Sequence, residues 1–327
     1  NEGYGSVGRQ LLKAVASLGV DITIAPTKNQ APRGFEDFFK PLDRWSRIGF
    51  YYHYAVCPSV LQCDRIVNYC MWESTLVPKD FVEEINKSVT LQYVPCQQNV
   101  ESFLECGVRV PIKVLHHGVD TQQFPLLNRC HSEIFTFGTF GDFSPRKGID
   151  VLLRAFQDEF SPKESVRLLM KSSSKAAAYE VDDARIKFIS GFMNQEALLK
   201  FLQELDVFIL PSRGEGFGLC GLEAMSTGLP LIATNWSGPS EYLDPEDSFP
   251  LEYRLVDAQG IESNRVRYFG LWAEPDYEHL RYLMRWLYEH PQEAAVAGQK
   301  AARRVHANWT WERVAKQMCA DFDQIAS

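Results

Sequence analysis

Two glutamates, Glu215 and Glu223, flank a short glycine-rich run in the second half of the chain. The surrounding residues are Leu210-Pro211-Ser212-Arg213-Gly214-Glu215-Gly216-Phe217-Gly218-Leu219. This pattern predicts a buried strand ending near residue 211, a tight turn, and a helix from about residue 218 to residue 227. Backbone amides at the start of such a helix, with the positive end of its dipole, form a site for an anion such as a diphosphate.

The two carboxylates predict a different ligand group from the one that the helix amides bind. Glu223 lies within the predicted helix, where like charges would repel it from a phosphate. It is better suited to accept hydrogen bonds from sugar hydroxyls, and Glu215 on the turn can do the same for a second sugar. Either glutamate alone would more often be a solvated charge. Together with the anion site, they predict hydroxyl groups on both sides of the phosphates.

A basic pair, Arg146 and Lys147, lies on the loop after an earlier predicted strand. The surrounding residues are Phe137-Gly138-Thr139-Phe140-Gly141-Asp142-Phe143-Ser144-Pro145-Arg146-Lys147-Gly148. At a strand-to-helix turn, arginine can neutralise a diphosphate with its planar fork, and lysine can do so as a point charge. Two such residues in isolation would usually be a solvated pair, so the interpretation depends on their lying near the glycine-rich run.

The spacing of the two glutamates resembles the E-x7-E pattern of retaining glycosyltransferases with the GT-B fold, in particular family 4, the group 1 family. The flanking runs resemble that family as well, and the fit is close over residues 134–243. These runs are Asp206-Val207-Phe208-Ile209-Leu210-Pro211-Ser212, Gly228-Leu229-Pro230-Leu231-Ile232-Ala233-Thr234, Ser237-Gly238 and Ser240-Glu241-Tyr242-Leu243.

The resemblance implies a role for each residue of this candidate donor site. The donor ribose would lie on Glu223, the diphosphate on Arg146 and Lys147, and the transferred sugar on Glu215. Arg146, Lys147 and Glu215 are also the candidate catalytic residues. Further donor contacts are implied for the helix start and for an N-terminal glycine loop, namely Gly216, Phe217, Gly218, Leu219, Gly3, Tyr4 and Gly5.

Two features depart from the family pattern. Many relatives have an arginine where this chain has Asp142, so Arg146 would have to supply that charge. Relatives also often carry a histidine after a middle strand of the first domain, whereas residues 66–74 contain none. His53 follows an earlier strand and is the candidate for this catalytic position, although a histidine among aromatic residues is more often packed in a core.

The first domain is expected to bind the acceptor. Trp72 and Glu73 are the candidate contacts, because an aromatic face stacks on sugar C–H groups and a carboxylate accepts hydroxyl protons. Ordinary packing explains both residues equally well. Four other aromatic residues are predicted to be structural and to lie near the hinge: His116, His117, Trp309 and Trp311.

The elements that must position these residues follow an α/β rhythm. Short apolar runs alternate with helical patterns, and the cycle restarts near residue 133. This rhythm predicts two α/β domains. The resemblance implies that they are Rossmann-like and face a central cleft, with an acceptor domain at residues 1–132, a donor domain at 133–305, and a final helix at 306–327 that packs back on the first domain. Because no hydrophobic strand precedes the N-terminal glycines, the first strand of that domain is expected to be missing from this sequence.

Composition narrows the classes of ligand and compartment. A net charge of -8 without a local basic stripe argues against nucleic acid. Eight cysteines without a C-x-x-C pair indicate reduced thiols and a cytoplasmic protein. We find no apolar run long enough to span a bilayer, which leaves peripheral membrane contact open. No D-x-D motif lies near the site, so no metal and no cofactor are expected.

The sequence therefore predicts a retaining, metal-independent hexosyltransferase of glycan biosynthesis. Its donor would be a nucleotide diphosphate sugar, with UDP or GDP favoured, and its acceptor a hydroxyl of a glycan, lipid or other molecule. An epimerase or a phosphorylase can share this architecture, and a non-catalytic nucleotide-sugar binding protein is a third alternative. A nicotinamide dehydrogenase fits worst, because it leaves the acidic pair of the second domain unexplained.

Overall fold

A computed structural model of the chain describes residues 2–22, 48–52, 58–61, 63–129, 133–172, 179, 181–263 and 266–326. The described elements form two parallel α/β sheets, two small antiparallel strand pairs and a C-terminal helix. This architecture confirms the predicted fold class.

The first domain contains a four-stranded parallel sheet in the order β1-β2-β3-β4. Its elements are α1 (Glu2–Ser17), β1 (Ile48–Tyr52), β2 (Arg65–Tyr69), α2 (Lys79–Ser88), β3 (Leu91–Val94), α3 (Gln97–Glu105) and β4 (Ile112–Val114). The central strands β2 and β3 are almost entirely buried, as expected for parallel strands covered on both faces. A short apolar run at residues 21–25, which is typical of a strand, falls largely outside the described residues.

The second domain contains a six-stranded parallel sheet. Its strands are β5 (Phe135–Phe140), β6 (Val166–Ser172), β7 (Ile186–Ser190), β8 (Val207–Leu210), β9 (Leu231–Thr234) and β10 (Phe249–Leu251), and its helices are α4 (Ile149–Glu159), α5 (Gln195–Gln203), α6 (Leu219–Ser226), α7 (Tyr277–Glu289) and α8 (Pro291–Asn308). The spatial order β7-β6-β5-β8-β9-β10 reverses direction between β5 and β8. In open α/β sheets, ligands bind beyond the carboxyl ends of the strands at this switch point. The basic pair follows β5 and the glycine-rich run follows β8, so the fold brings both to the switch point.

The segment between β10 and α7 shows no clear helical or strand period in the sequence, but it is ordered into strands. It forms two antiparallel strand pairs, which join β11 (Tyr253–Asp257) to β14 (Leu271–Pro275) and β12 (Ile261–Ser263) to β13 (Val266–Tyr268). One face of the first pair is exposed, and Val256 and Trp272 on its other face pack into a core shared with the first domain. These strands are short and only partly apolar, which explains why their sequence pattern is weak.

The C-terminal helix α9 (Trp311–Ala326) crosses back onto the first domain. Its apolar face packs with α1, through Val314 and Met318 against Leu11 and Val15. Asp321 on the same helix accepts a hydrogen bond from the Tyr93 hydroxyl at 2.7 Å and pairs with Lys113. The last helix therefore joins the two domains.

In the described part of the chain, no helix is both long and apolar enough to cross a membrane.

Candidate functional site

The start of α6 is built by a left-handed glycine. Gly218 precedes the helix with φ 77°, and its carbonyl oxygen accepts a 2.8 Å hydrogen bond from the Tyr242 hydroxyl. A Cβ atom at Gly218 would approach this hydroxyl to 2.9 Å, which leaves no room for a side chain. No side chain of the described residues caps this end of α6. The helix begins one residue later than predicted, and its first amides have no side-chain partner that would compete with a ligand.

A second loop is locked against the glycine-rich run. Residues Pro145–Lys147 form one turn of 3-10 helix after β5, and Gly148 ends it with φ 63°. The Arg146 carbonyl accepts a 2.7 Å hydrogen bond from the Arg213 amide, and a Cβ atom at Gly148 would overlap with the carbonyl oxygen of Pro211. This close approach sets the basic pair beside Glu215.

The basic pair lies directly beside the first glutamate. Lys147 Nζ lies 2.6 Å from Glu215 Oε1, and Arg146 Nη1 lies 3.3 Å from Glu215 Oε2. The Ser212 hydroxyl also donates to Glu215 Oε1, at 2.6 Å. Glu215 is only 6% exposed, and burial favours its neutral form. The charges of Lys147 and Arg146 and the hydrogen bonds outweigh burial and lower the pKa of Glu215 to about 2.

Glu223 has the opposite environment. It lies on α6, partly buried, and burial raises its pKa to about 8. Among the described residues it has no hydrogen-bond or ion-pair partner. A buried polar group without a partner is costly, so this carboxyl group is suited to a ligand that brings hydroxyl groups to it.

Three of the predicted donor residues, Lys147, Glu215 and Glu223, lie near the same side chain of α6. Cys220, in the first turn of α6, has a thiol pKa raised to about 12, mainly by burial. The charge of Lys147 lowers this pKa, and the charges of Glu215 and Glu223 raise it. All three charged groups therefore lie around the first turn of α6, which is the arrangement that a shared donor site requires. The thiol itself stays protonated at neutral pH.

The first domain also reaches these residues. The loop after β2 touches the glycine-rich run so closely that a Cβ atom at Gly214 would overlap with the Glu73 carbonyl, and one at Gly216 would overlap with the Met71 side chain. Glu73 Oε1 lies 3.9 Å from Arg146 Nη2. Glu73 is thus beside the basic pair, and its predicted role as an acceptor contact remains a prediction.

The side chain of Trp72 is buried, whereas we expected it to contact an acceptor. The ring is 5% exposed and packs against Phe81 and Tyr268, and its Nε1 donates to the Ser74 hydroxyl at 2.9 Å. The ring is therefore used for packing, and its face is not open to stack on a sugar. Packing was the alternative that the sequence left open.

The N-terminal glycines also differ from expectation. Gly3, Tyr4 and Gly5 belong to helix α1 and do not form a loop. Glycine is tolerated near a helix start, and the apolar spacing of Val7, Leu11 and Val15 on one face favours the helix. Their contact with donor phosphates stays a prediction. His53 lies outside the described residues.

The hinge aromatic residues are packed as the sequence predicted. His117 is 3% exposed and contacts the rings of Phe217 and Trp311, and burial, with a smaller effect of His116, lowers its pKa to about 3. The His116 ring packs against Trp309, and its Nε2 lies 2.9 Å from Glu241 Oε2. These aromatic rings form a rigid support behind the start of α6.

Arg213 is the main residue of the site that the sequence did not assign. Its guanidinium group donates to both carboxylate oxygens of Asp150, at 2.9 and 2.8 Å, and to both of Glu274, at 2.9 and 2.6 Å. It thereby ties the turn before Glu215 to α4 and β14. An arginine beside a glycine run is the only available signal, because its partners lie 61 to 63 residues away in sequence.

Two remaining expectations from the sequence concern Asp142 and the binding of a metal ion. Asp142 lies on the loop after β5, and Arg146 rather than Asp142 reaches Glu215. Within the described ranges, no group of three or more His, Cys, Asp or Glu side chains is arranged to hold a metal ion. The need for a metal or cofactor remains untested.

Comparison with known proteins places this site in a family context. Residues 134–260 match the family model described as glycosyl transferases group 1. The chain is 25% identical over 187 residues to the GDP-mannose-dependent monoacylated alpha-(1-6)-phosphatidylinositol monomannoside mannosyltransferase of Corynebacterium glutamicum, covering 53% of this chain and 43% of the relative. It is 24% identical over 219 residues to the MMP alpha-(1->4)-mannosyltransferase of Mycolicibacterium hassiacum, covering 65% and 48%. The chain thus spans about half the length of the curated relatives it matches.

Solved structures share the fold. Anabaena HepE in complex with UDP and glucose superimposes with a TM-score of 0.66 at 14% identity, over 85% of this chain and 78% of that one. The sucrose-phosphate synthase of Thermosynechococcus elongatus gives a TM-score of 0.63 at 19% identity, over 80% and 69%. At these identities the likeness shows the fold alone.

Proposed function

We propose that this chain, whose residues 134–260 match the family model described as glycosyl transferases group 1, transfers a sugar from a nucleotide diphosphate sugar to a hydroxyl acceptor. The observation that carries the proposal is the convergence of Lys147, Glu215 and Glu223 around the first turn of α6. This arrangement offers positive charge for a diphosphate and carboxylates for the hydroxyl groups on either side of it.

The donor would lie with its diphosphate against the amides of Gly218 and Leu219 and against Lys147. Glu223 would accept hydrogen bonds from the ribose, and Glu215 from the transferred sugar. Lys147 now pairs with Glu215, so donor binding would share its charge between that carboxylate and the phosphates. The Ser212 hydroxyl and Arg146 would hold Glu215 during this exchange.

In the reaction we propose, the bond between the anomeric carbon and the leaving diphosphate oxygen breaks while the acceptor hydroxyl oxygen bonds to the same face of the sugar. The hydroxyl proton passes to the departing diphosphate oxygen. Negative charge grows on the leaving diphosphate, and Lys147 and the helix amides are placed to stabilise it. These groups provide positive charge from the protein itself, so we propose transfer without a divalent ion. We propose retention at the anomeric carbon because the spacing of Glu215 and Glu223 resembles the pattern of retaining glycosyltransferases. Removing one such preorganised group typically lowers turnover by about 10² to 10³.

The acceptor would approach from the first domain, on the side where Glu73 meets the basic pair. Closure of the domains would exclude water and limit hydrolysis of the donor. The acceptor is a hydroxyl of a glycan, lipid or other molecule, and we propose a cytoplasmic protein that makes at most peripheral contact with membranes. UDP- and GDP-sugars are the favoured donors.

Thermal-shift screening with UDP, GDP, ADP and their sugars tests the donor proposal, because a ligand that binds only the native state raises the melting temperature. We expect at least one nucleotide sugar to stabilise the wild type, and Glu223→Ala and Lys147→Ala to abolish both this shift and sugar transfer while the protein stays folded. Lys79→Ala is the matched control, since its side chain is 91% exposed. Wild-type transfer rates in both site variants would refute the assignment.

The same assay separates the alternative functions. An epimerase would convert the donor with no acceptor present, and a phosphorylase would require free phosphate. A non-catalytic binding protein would bind the nucleotide sugar and release no sugar with any acceptor offered.

A further inference from the structure

A chain of polar contacts runs from the β12–β13 pair into the donor site. The Tyr268 hydroxyl, at the end of β13, donates to Glu73 Oε2 at 3.0 Å. Glu73 Oε1 lies 3.9 Å from Arg146 Nη2, and Arg146 Nη1 lies 3.3 Å from Glu215. Four residues from separate parts of the chain are thus connected in one line that ends on the carboxylate proposed to hold the sugar.

The members of this line are enclosed. Arg146 is 7% exposed and Tyr268 is 4% exposed, and the Glu73 side chain retains only 15% of its accessible surface. Burial opposes the charge of Arg146, but the charges of Glu73 and Glu215 outweigh it and hold the pKa of Arg146 above its ordinary value. Burial and the Glu73 carboxylate together raise the pKa of Tyr268, so its hydroxyl remains a donor. Interactions between buried charges are weakly screened, so each partner strongly affects the position of the next.

Arg146 has little freedom left for a phosphate. One of its terminal nitrogens is used by the Gly214 carbonyl and Glu215, the other faces Glu73, and its Nε is buried with no partner among the described atoms. Lys147, in contrast, has a single described ion-pair partner in Glu215. The two adjacent cations therefore have different roles, because Lys147 is available to the diphosphate whereas Arg146 holds protein groups in place.

We propose that Glu73 is a positioning residue, held by Tyr268, which fixes Arg146 and through it the orientation of Glu215 toward the transferred sugar. The first domain and the β12–β13 pair would then determine sugar recognition without touching the nucleotide. This inference rests on the proposed function. It assigns Glu73 to the donor sugar rather than to the acceptor.

The line predicts a selective loss of sugar binding. With glutamine at position 73 the Tyr268 hydrogen bond can persist, but Arg146 keeps only one carboxylate partner and is drawn toward Glu215. Glu215 is then bound more tightly by Arg146 and accepts hydrogen bonds from sugar hydroxyls less well. The contacts of the nucleoside diphosphate with Lys147, Glu223 and the helix amides are unchanged. A residue that merely supported the fold would weaken both ligands equally.

The experiment is calorimetric titration of UDP, UDP-glucose, GDP and GDP-mannose into wild type, Glu73→Gln, Tyr268→Phe and the double variant. For the nucleotide and nucleotide sugar that bind the wild type, we expect Glu73→Gln to lower the affinity for the nucleotide sugar about tenfold. The affinity for the nucleotide should fall by less than about twofold. Tyr268→Phe should act in the same direction by about threefold. The double variant should match Glu73→Gln alone, since Tyr268 acts on Arg146 through Glu73.

Matched controls separate this effect from general damage. Glu83→Gln removes a carboxylate that is 67% exposed on α2, and Tyr282→Phe removes a hydroxyl from a side chain that is 61% exposed on α7. Both should bind as the wild type does. If Glu73→Gln does not fold, Tyr268→Phe alone decides the question by the same ratio of affinities.

Two results overturn the inference while the proposed function stands: an equal loss of nucleotide and nucleotide sugar, or wild-type affinities in both site variants. Failure of the wild type to bind every ligand would instead refute the proposed function, and the inference with it.

Discussion

At the residue scale, two carboxylates less than three helical turns apart in sequence have opposite electrostatic environments. Glu215 is buried among Lys147, Arg146 and Ser212, and its pKa is lowered to about 2. Glu223 is partly buried, has no compensating partner among the described residues, and its pKa is raised to about 8 by burial. The first is therefore ionised at neutral pH and the second is largely protonated. Surroundings that shift the pKa values of two neighbouring carboxyl groups in opposite directions are typical of functional sites.

The raised pKa of Glu223 predicts pH-dependent donor binding. Ribose hydroxyls that donate to the carboxylate favour its ionised form, so binding should lower the pKa of Glu223 and release a proton below pH 8. Affinity for a nucleotide sugar should then rise between pH 6 and pH 8 by about tenfold. Calorimetric titration across this range measures it, and a nucleotide sugar avoids the terminal phosphate ionisation of a nucleoside diphosphate.

The Glu223→Gln variant provides the control for this pH dependence. It removes the titrating group and should make the affinity nearly independent of pH. An equally steep rise in the variant, or a flat profile in the wild type, would remove Glu223 from the ribose site.

At the element scale, the site depends on two strand-to-helix loops that press against each other. The turn after β5 and the run after β8 meet where Gly148 faces the Pro211 carbonyl, and the Arg213 guanidinium fastens the same run to Asp150 on α4. Such contacts place Lys147 within hydrogen-bond distance of Glu215 without any flexible linker. Rigid loops of this kind cost less reorganisation when the ligand binds.

A Gly148→Ala substitution should damage this contact severely. The new Cβ atom would overlap with the Pro211 carbonyl oxygen, and the left-handed φ of 63° is unfavourable for alanine. We expect a loss of about 2 to 4 kcal/mol in the free energy of unfolding, measured by urea denaturation. Gly191→Ala is the matched control, because Gly191 has φ 102° but faces open space, and it should lose only about 1 kcal/mol. Equal losses in both variants would mean that the contact between the two loops contributes nothing.

The sequence predicted the elements of the candidate site better than the contacts between them. The glycine run, the helix after it and the basic pair are local patterns, so Glu215, Glu223, Arg146 and Lys147 could be chosen from the sequence alone. The partners of Arg213 and the contact between Tyr268 and Glu73 could not, because the latter residues are 195 positions apart and only the fold brings them together. The helical state of the N-terminal glycines was missed because glycine spacing suggested a loop more strongly than the apolar face suggested a helix.

At the scale of the whole molecule, the final helix and the β11–β14 segment join the two domains. Helix α9 packs on α1, and Asp321 links it to Tyr93 and Lys113 of the first sheet. The small strands contribute Trp272 and Tyr268 to a core that also contains Trp72. The predicted two-domain rhythm was visible in the sequence, but the strand pairs were not, because their exposed and partly apolar residues give no clear period.

The contribution of helix α9 to stability can be tested at the buried carboxylate of Asp321. Asp321→Ala should leave the Tyr93 hydroxyl without an acceptor in a site where Asp321 is only 7% exposed. We expect a loss of about 2 to 3 kcal/mol in the free energy of unfolding by urea denaturation. The exposed neighbour Asp323 gives the control, and Asp323→Ala should change stability by less than about 0.5 kcal/mol. Similar losses in both variants would mean that the buried link is unimportant.

The central claim is that the start of α6 binds a diphosphate between two hydroxyl-binding carboxylates. A crystal structure with UDP or GDP bound tests it most directly. The account predicts phosphate oxygens within hydrogen-bond distance of the Leu219 amide and of Lys147 Nζ, and ribose hydroxyls on Glu223. A nucleotide bound elsewhere, with Lys147 still paired only with Glu215 and with Glu223 still without a partner, would contradict it.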